Sequence, residues 1–162
     1  MGRLDIDRLD SQIKEREIPD LIRSRLAVIS TAFQNLDVTE RILLAGEWLL
    51  DSYVGKNELL SFVQTAVAME ILLGEEAKSD EIGIGELLRN RCAYLIGTSR
   101  SQREEILNDF RKIYDLRSKI VHRGKSKLSY DERTLFSKLR WMCSRVIREE
   151  LRLISEDKGK PT

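Results

Sequence analysis

Asp109-Phe-Arg-Lys-Ile-Tyr-Asp-Leu-Arg-Ser-Lys-Ile-Val-His-Arg-Gly124 repeats apolar residues at helical spacing and interrupts them with a charge. The run reads as the second half of a helix opening near Ser101, where Ser101 and Glu104 form a capping box. Gly124 is the residue type that takes the left-handed turn after a last helical residue. With each residue placed about 100° further round the axis from Ile106, the residues Phe110, Ile113, Ile120 and Val121 fall within about 60° of one line. Arg117 falls inside that stripe, where a guanidinium is costly to bury unpaired. His122, the one histidine of the chain, follows five residues later near the helix end. On spacing alone the plainer reading is a surface histidine and an arginine whose stem packs while its head reaches water.

The neighbouring helices carry related anomalies. Asp37 with Glu40 opens a helix to about Val54, and Gly55 stops it. Its apolar face holds Ile42, Leu49, Leu50 and Tyr53, with Trp48 at the flank. Asn57 caps the next helix, which runs to Leu73 before Gly74 with Leu59, Phe62, Val63, Ala66, Val67 and Leu73 as its stripe. Glu70 lies in the centre of that stripe, where a carboxylate needs a partner. A short helix over 85–96 buries Leu87, Leu88, Tyr94 and Leu95, with Arg91 among them. Ser129 and Glu132 open a last helix to about Ile154, whose core side is marked by Leu135, Leu139, Met142, Val146 and Leu153. The expectation is that Glu70 pairs with Arg117, Arg91 or both inside the bundle, a bidentate geometry that would fix an arginine at one angle. A purely structural ion pair would look the same in sequence.

The remaining segments frame this core. Leu4, Ile6, Leu9 and Ile13 give residues 4–16 a thin amphipathic pattern. Pro19 starts a second helix, with Leu21, Ile22, Leu26 and Ile29 on its apolar face to about Phe33. Glu75, Glu76, Asp80 and Glu81 form an acidic loop that lacks the alternate-position ligands of a calcium site. The expected architecture is all-α: a bundle of about five core helices over residues 37–155, an N-terminal helical extension over 1–36, and a polar tail over 156–162.

Composition agrees with a helical, globular chain of 162 residues, 41% hydrophobic and 34% charged. Net charge is only +1, but it is unevenly spread. Residues 1–97 hold 11 Lys/Arg against 17 Asp/Glu, a net of −6; residues 98–162 hold 17 against 10, a net of +7. A basic half containing the central helix suits a phosphate-bearing ligand, although a solvated charged surface is the bland alternative. Cys92 and Cys143 lie within helical patterns and are not spaced like metal ligands, so two buried free thiols are expected. The charged start lacks the apolar run of a signal peptide, Ile6 breaks the myristoylation pattern, and no apolar run approaches 18 residues. A cytoplasmic location away from membranes is the expectation, and no cofactor or metal is called for.

Ile113-Tyr-Asp-Leu-Arg-Ser-Lys-Ile-Val-His-Arg-Gly124 resembles the signature of the HEPN superfamily, an arginine, four to six residues, then histidine. The resemblance is closest to the Apea-like HEPN branch, in which the phrase follows segments similar to Ala66-Val-Ala-Met-Glu-Ile-Leu-Leu-Gly74 and Leu87-Leu-Arg-Asn-Arg-Cys-Ala-Tyr-Leu-Ile-Gly97. The resemblance as a whole covers roughly residues 38–154. The resemblance implies a HEPN-like helical bundle, a ribonuclease activity that some relatives lack, a homodimer, and a partner such as an antitoxin or another defence-system component. HEPN toxins modified by a nucleotidyltransferase antitoxin usually carry a tyrosine two residues after the histidine; Arg123-Gly124 stands here instead.

The residue types fit that chemistry. Metal-free RNA cleavage needs a base for the 2′-hydroxyl proton, an acid for the leaving oxygen, and positive charge on the developing phosphorane. A histidine in the last turn meets the negative end of the helix dipole, where a cationic ring is welcome. Arginine matches phosphate oxygens with a fork of donors. Arg117 and His122 are therefore the candidate catalytic residues, with Ser118, Glu70 and Arg91 in support and Arg111, Lys119, Arg123 and Lys125 as RNA-binding candidates. One histidine per chain is short for acid–base work, and a homodimer whose motif helices meet would supply two. The sequence-based expectation is a metal-independent endoribonuclease cleaving single-stranded or loop RNA in defence or stress; the alternative is a non-catalytic HEPN module that dimerises and binds RNA or a nucleotide to regulate a partner.

Overall fold

The computed structural model describes residues 18–34, 36–74 and 84–157. The pattern over residues 4–16 and the acidic loop at 75–83 lie outside the described residues. Six α-helices and no strand are found among the described residues: α1 Ile18–Phe33, α2 Leu36–Val54, α3 Glu58–Leu73, α4 Ile84–Ile96, α5 Arg100–Arg123 and α6 Tyr130–Asp157. The chain is the all-α bundle that the periodicity predicts.

Local chemistry sets most boundaries. The Asn57 side chain accepts from the N–H groups of Leu59 and Leu60 at 3.0 and 3.1 Å, satisfying two orphan donors of α3. Ser129 and Glu132 form the expected reciprocal box, with Ser129 N–H donating to Glu132 at 2.7 Å and Glu132 N–H to Ser129 Oγ at 3.3 Å. Gly124 takes φ 64° and ψ 37°, the left-handed turn that ends α5. Three boundaries differ from expectation: α2 already begins at Leu36, so Asp37 lies inside it and does not open it. Ser99, not Ser101, caps α5 by accepting from Gln102 N–H, while Gln102 reaches back to the N–H of Thr98. The α6 helix continues to Asp157, where Arg152 bridges Glu149 and Glu156 across the last turns.

The core is a single cluster drawn from α2 to α6 and the α5–α6 linker. Phe62, Met69 and Leu72 of α3, Leu88 and Cys92 of α4, Phe110 and Ile113 of α5, and Leu139 and Val146 of α6 are at most 1% exposed. Leu128 of the linker closes the cluster. Phe62 meets Phe136 with ring centroids 5.4 Å apart and tilted by 55°, near the edge-to-face arrangement aromatic pairs favour. Cys92 and Cys143 are buried free thiols, and burial pushes each up to about 12, so neither carries thiolate character at neutral pH.

Several apolar faces read from periodicity are left uncovered. Ile22, Leu26, Ile29 and Phe33 of α1 are 49–61% exposed, as are Leu50 and Tyr53 of α2 to a similar degree. Tyr94, Val121 and Leu153 are likewise exposed. On α5 the reason is rotational: Asp109 and Leu116 are buried beside Ile106, Phe110 and Ile113. The buried face is therefore turned away from Val121, whereas Arg117 stays within its arc and lies one residue past Leu116, the last buried position of the helix.

Candidate functional site

The C-terminal ends of α3 and α5 meet at Glu70, Tyr114 and Arg117. Tyr114 and Arg117 are three residues apart and share one side of α5, both facing Glu70 of α3. The Glu70 carboxylate accepts from Tyr114 Oη at 3.1 Å and lies 3.4 Å from Arg117 Nε through the same Oε1. Burial and the Glu70 carboxylate, which accepts its hydrogen bond, push the Tyr114 phenol well above its ordinary value, so it stays a donor. The Tyr114 ring stacks on Phe110, with centroids 5.4 Å apart and planes 17° apart. Glu70 is thus tied to a side chain anchored in the core.

The ion pair expected from the sequence is present, but it is not inside the bundle. The side chains of Arg117 and Glu70 are 29% and 28% exposed. Arg117 lies just past Leu116, the last buried position of α5, so part of its side chain reaches solvent while its Nε stays buried. Arg91 acts elsewhere: its Nη1 donates to the Leu73 carbonyl at 2.6 Å, satisfying the end of α3. Arg41 treats the adjacent Leu72 carbonyl in the same way, at 2.7 Å.

His122 occupies the last turn of α5, exposed, with no hydrogen bond or ion pair among the described residues. Ser118 and Arg111 are exposed on the same side of the helix, at i−4 and i−11 from the imidazole. Ser118 makes no bond to His122, so it does not fix the ring. Lys119 and Arg123 are exposed beside this stripe, and Lys119 also borders a groove of about 360 Å³ between α5 and α6 with Lys112 and Asp115. Lys125 is half-buried and paired with Glu132 at 3.1 Å, which makes it the least available of the four basic candidates. Lys138 bridges Glu105 at 2.9 Å and the buried Asp109 at 2.5 Å across the far side of the α5–α6 groove.

The candidate residues therefore fall into two groups on one helix. Five positions of helix separate Arg117 from His122 by roughly 7.5 Å along the axis and about 140° around it. Within one chain the guanidinium faces Glu70 and the imidazole faces solvent. Sequence reading missed Tyr114; its only signal was the three-residue spacing to Arg117. Among the described residues no three His, Cys, Asp or Glu side chains are grouped as metal ligands, and no helix is long and apolar enough to cross a membrane. Comparison of the chain with family models, curated proteins and solved structures returns no match.

Proposed function

We propose that the chain is a metal-independent endoribonuclease of the HEPN type, acting on single-stranded or loop RNA through a site shared by two protomers. The observation that supports it most is the arrangement of Glu70, Tyr114 and Arg117: a carboxylate tethered by Tyr114 stands at ion-pair distance from a partly exposed arginine. A free imidazole follows on the same helix. The RNA-binding role of Arg111, Lys119 and Arg123 rests on their exposure along the same helix. The HEPN assignment itself rests on the motif resemblance, and a role in defence follows from that resemblance alone.

The shared site follows from supply and direction. Each chain offers one histidine, and its imidazole points about 140° away from its own Arg117. A two-fold pairing of the α5 ends brings two imidazoles and two guanidiniums to one cleft. There the 2′-oxygen attacks the adjacent phosphorus as one imidazole takes its proton, and the P–O5′ bond breaks as the other imidazole, protonated, delivers a proton to O5′. Arg117 offsets the charge that builds on the phosphorane oxygens. The products are a 2′,3′-cyclic phosphate and a 5′-hydroxyl end.

Incubating the pure protein with mixed RNA in excess EDTA tests this reading. Cleavage should persist at an unchanged rate, and mass spectrometry should find cyclic phosphate at the new 3′ ends. Loss of cleavage in EDTA, or 3′-hydroxyl ends, would place the chemistry on a bound metal and remove the proposal.

A further inference from the structure

A second cleft lies at the other end of α3, where the C-terminus of α2 and the N-terminus of α3 meet the first turns of α6. It has a volume of about 380 Å³ and is bordered by Tyr53, Lys56, Glu58, Ser61, Arg133 and Arg140. Twelve residues of α3 separate Glu58 from Glu70, roughly 18 Å along the helix. The cleft is thus remote from the Arg117 site.

Arg140 is its most unusual member. The guanidinium is held between two rings, 4.3 Å from the Tyr53 centroid and 4.1 Å from the Phe136 centroid. One Nη donates to the Ser52 carbonyl at the end of α2. Its Nε is buried without a hydrogen-bond partner, and no carboxylate pairs with it among the described residues. Burial lowers its affinity for its own proton, against the pull of the Tyr53 phenol and the Glu58 carboxylate. A half-buried cation with rings on two sides and no carboxylate in direct contact is costly unless an anion completes it.

An independent feature points the same way. Ser61 is 2% exposed and borders the cleft, yet its Oγ has no hydrogen-bond partner. Gly55 keeps that hydroxyl open, since a Cβ at position 55 would stand 2.8 Å from Ser61 Oγ. Lys56 is exposed and carries no ion pair among the described residues. Arg133 is held by Glu58 at 2.7 Å, so one positive charge is offset and Lys56 and Arg140 remain. Asn57 already occupies the N–H groups of Leu59 and Leu60, so side chains rather than bare amides face the cleft, with the α3 dipole adding positive potential.

We infer that this cleft binds the phosphate of a nucleotide, with Arg140 and Lys56 as charged donors and Ser61 Oγ as a buried donor. Two cations and a hydroxyl suit a tetrahedral dianion, and the half-exposed Tyr53 ring offers a base a surface beside it. Either a free mononucleotide or the 5′-phosphate end of an RNA presents this chemistry. The inference does not rest on the nuclease reading.

Thermal melts and calorimetry on the full chain, at constant ionic strength, test it with inorganic phosphate, AMP, and one RNA oligonucleotide carrying either a 5′-phosphate or a 5′-hydroxyl. Phosphate and AMP should raise the melting midpoint where equivalent chloride does not, with AMP binding more tightly. Ser61→Ala and Lys56→Gln should each weaken AMP binding at least fivefold. Neither should lower the ligand-free midpoint, because one removes an unpaired hydroxyl and the other an exposed lysine. Arg117→Ala should bind AMP as the wild type does, which separates this site from the nuclease proposal. Preference for the 5′-phosphorylated RNA, lost in the same two variants, assigns the site to an RNA end; AMP binding without that preference assigns it to a free nucleotide. No midpoint shift beyond chloride, or AMP affinity unchanged in the Ser61→Ala, Lys56→Gln double variant, overturns the inference.

Discussion

Arg117→Ala should lower RNA cleavage by about 100- to 1,000-fold, the loss that follows removal of one preorganised donor to a developing charge. His122→Ala should cost a similar or larger factor, since positioned proton transfer contributes roughly 100- to 10,000-fold. Neither loss should come from unfolding. His122 is exposed and unpartnered, so its replacement should stay within about 0.5 kcal/mol of wild-type stability. Arg117→Ala leaves Glu70 bonded to Tyr114 and partly hydrated, which limits the cost. Denaturant melts beside single-turnover cleavage assays separate the two effects. Full activity of both variants would leave a helical module that binds without cutting.

Glu70→Ala should separate support from structure. The sequence places this carboxylate in the middle of an apolar stripe, and a buried pair would then be worth about 3–5 kcal/mol when broken. With both side chains more than a quarter exposed, solvent screens the ion pair to at most about 1 kcal/mol. The charge-assisted bond from the half-buried Tyr114 adds about 1.5–3 kcal/mol. A loss of about 2 kcal/mol is therefore expected, with cleavage falling at least about tenfold as Arg117 loses its fixed angle. Glu70→Gln keeps an acceptor for Tyr114 and should recover most of the stability but not the activity. A stability change under about 0.5 kcal/mol for Glu70→Ala would mean that the carboxylate tethers nothing.

The bundle was legible because its helix ends carry their own chemistry. Asn57, the Ser129–Glu132 box and Gly124 each act within a few residues, so sequence alone could place them. Ser101 misled because Ser99 offers the same hydroxyl two residues earlier, and Gln102 can bond back to Thr98 only from that register. Periodicity named the apolar faces but not their coverage. The α1 stripe of Ile22, Leu26, Ile29 and Phe33 is regular in sequence and open in the folded chain. Glu70 and Arg117 were found because charges stand out on apolar stripes. The cleft at Arg140 could not be found that way, because Tyr53, Ser61 and Phe136 come from separate helices and look ordinary on each.

The composite site is the claim on which the functional reading turns. Cleavage per protomer in EDTA, followed across a dilution series alongside sedimentation velocity, tests it most directly. The account predicts that activity per protomer falls in step with the dimer fraction, because a lone chain holds one imidazole turned away from its own arginine. Activity per protomer that stays constant while the dimer dissociates, or cleavage by a chain that never dimerises, would contradict it.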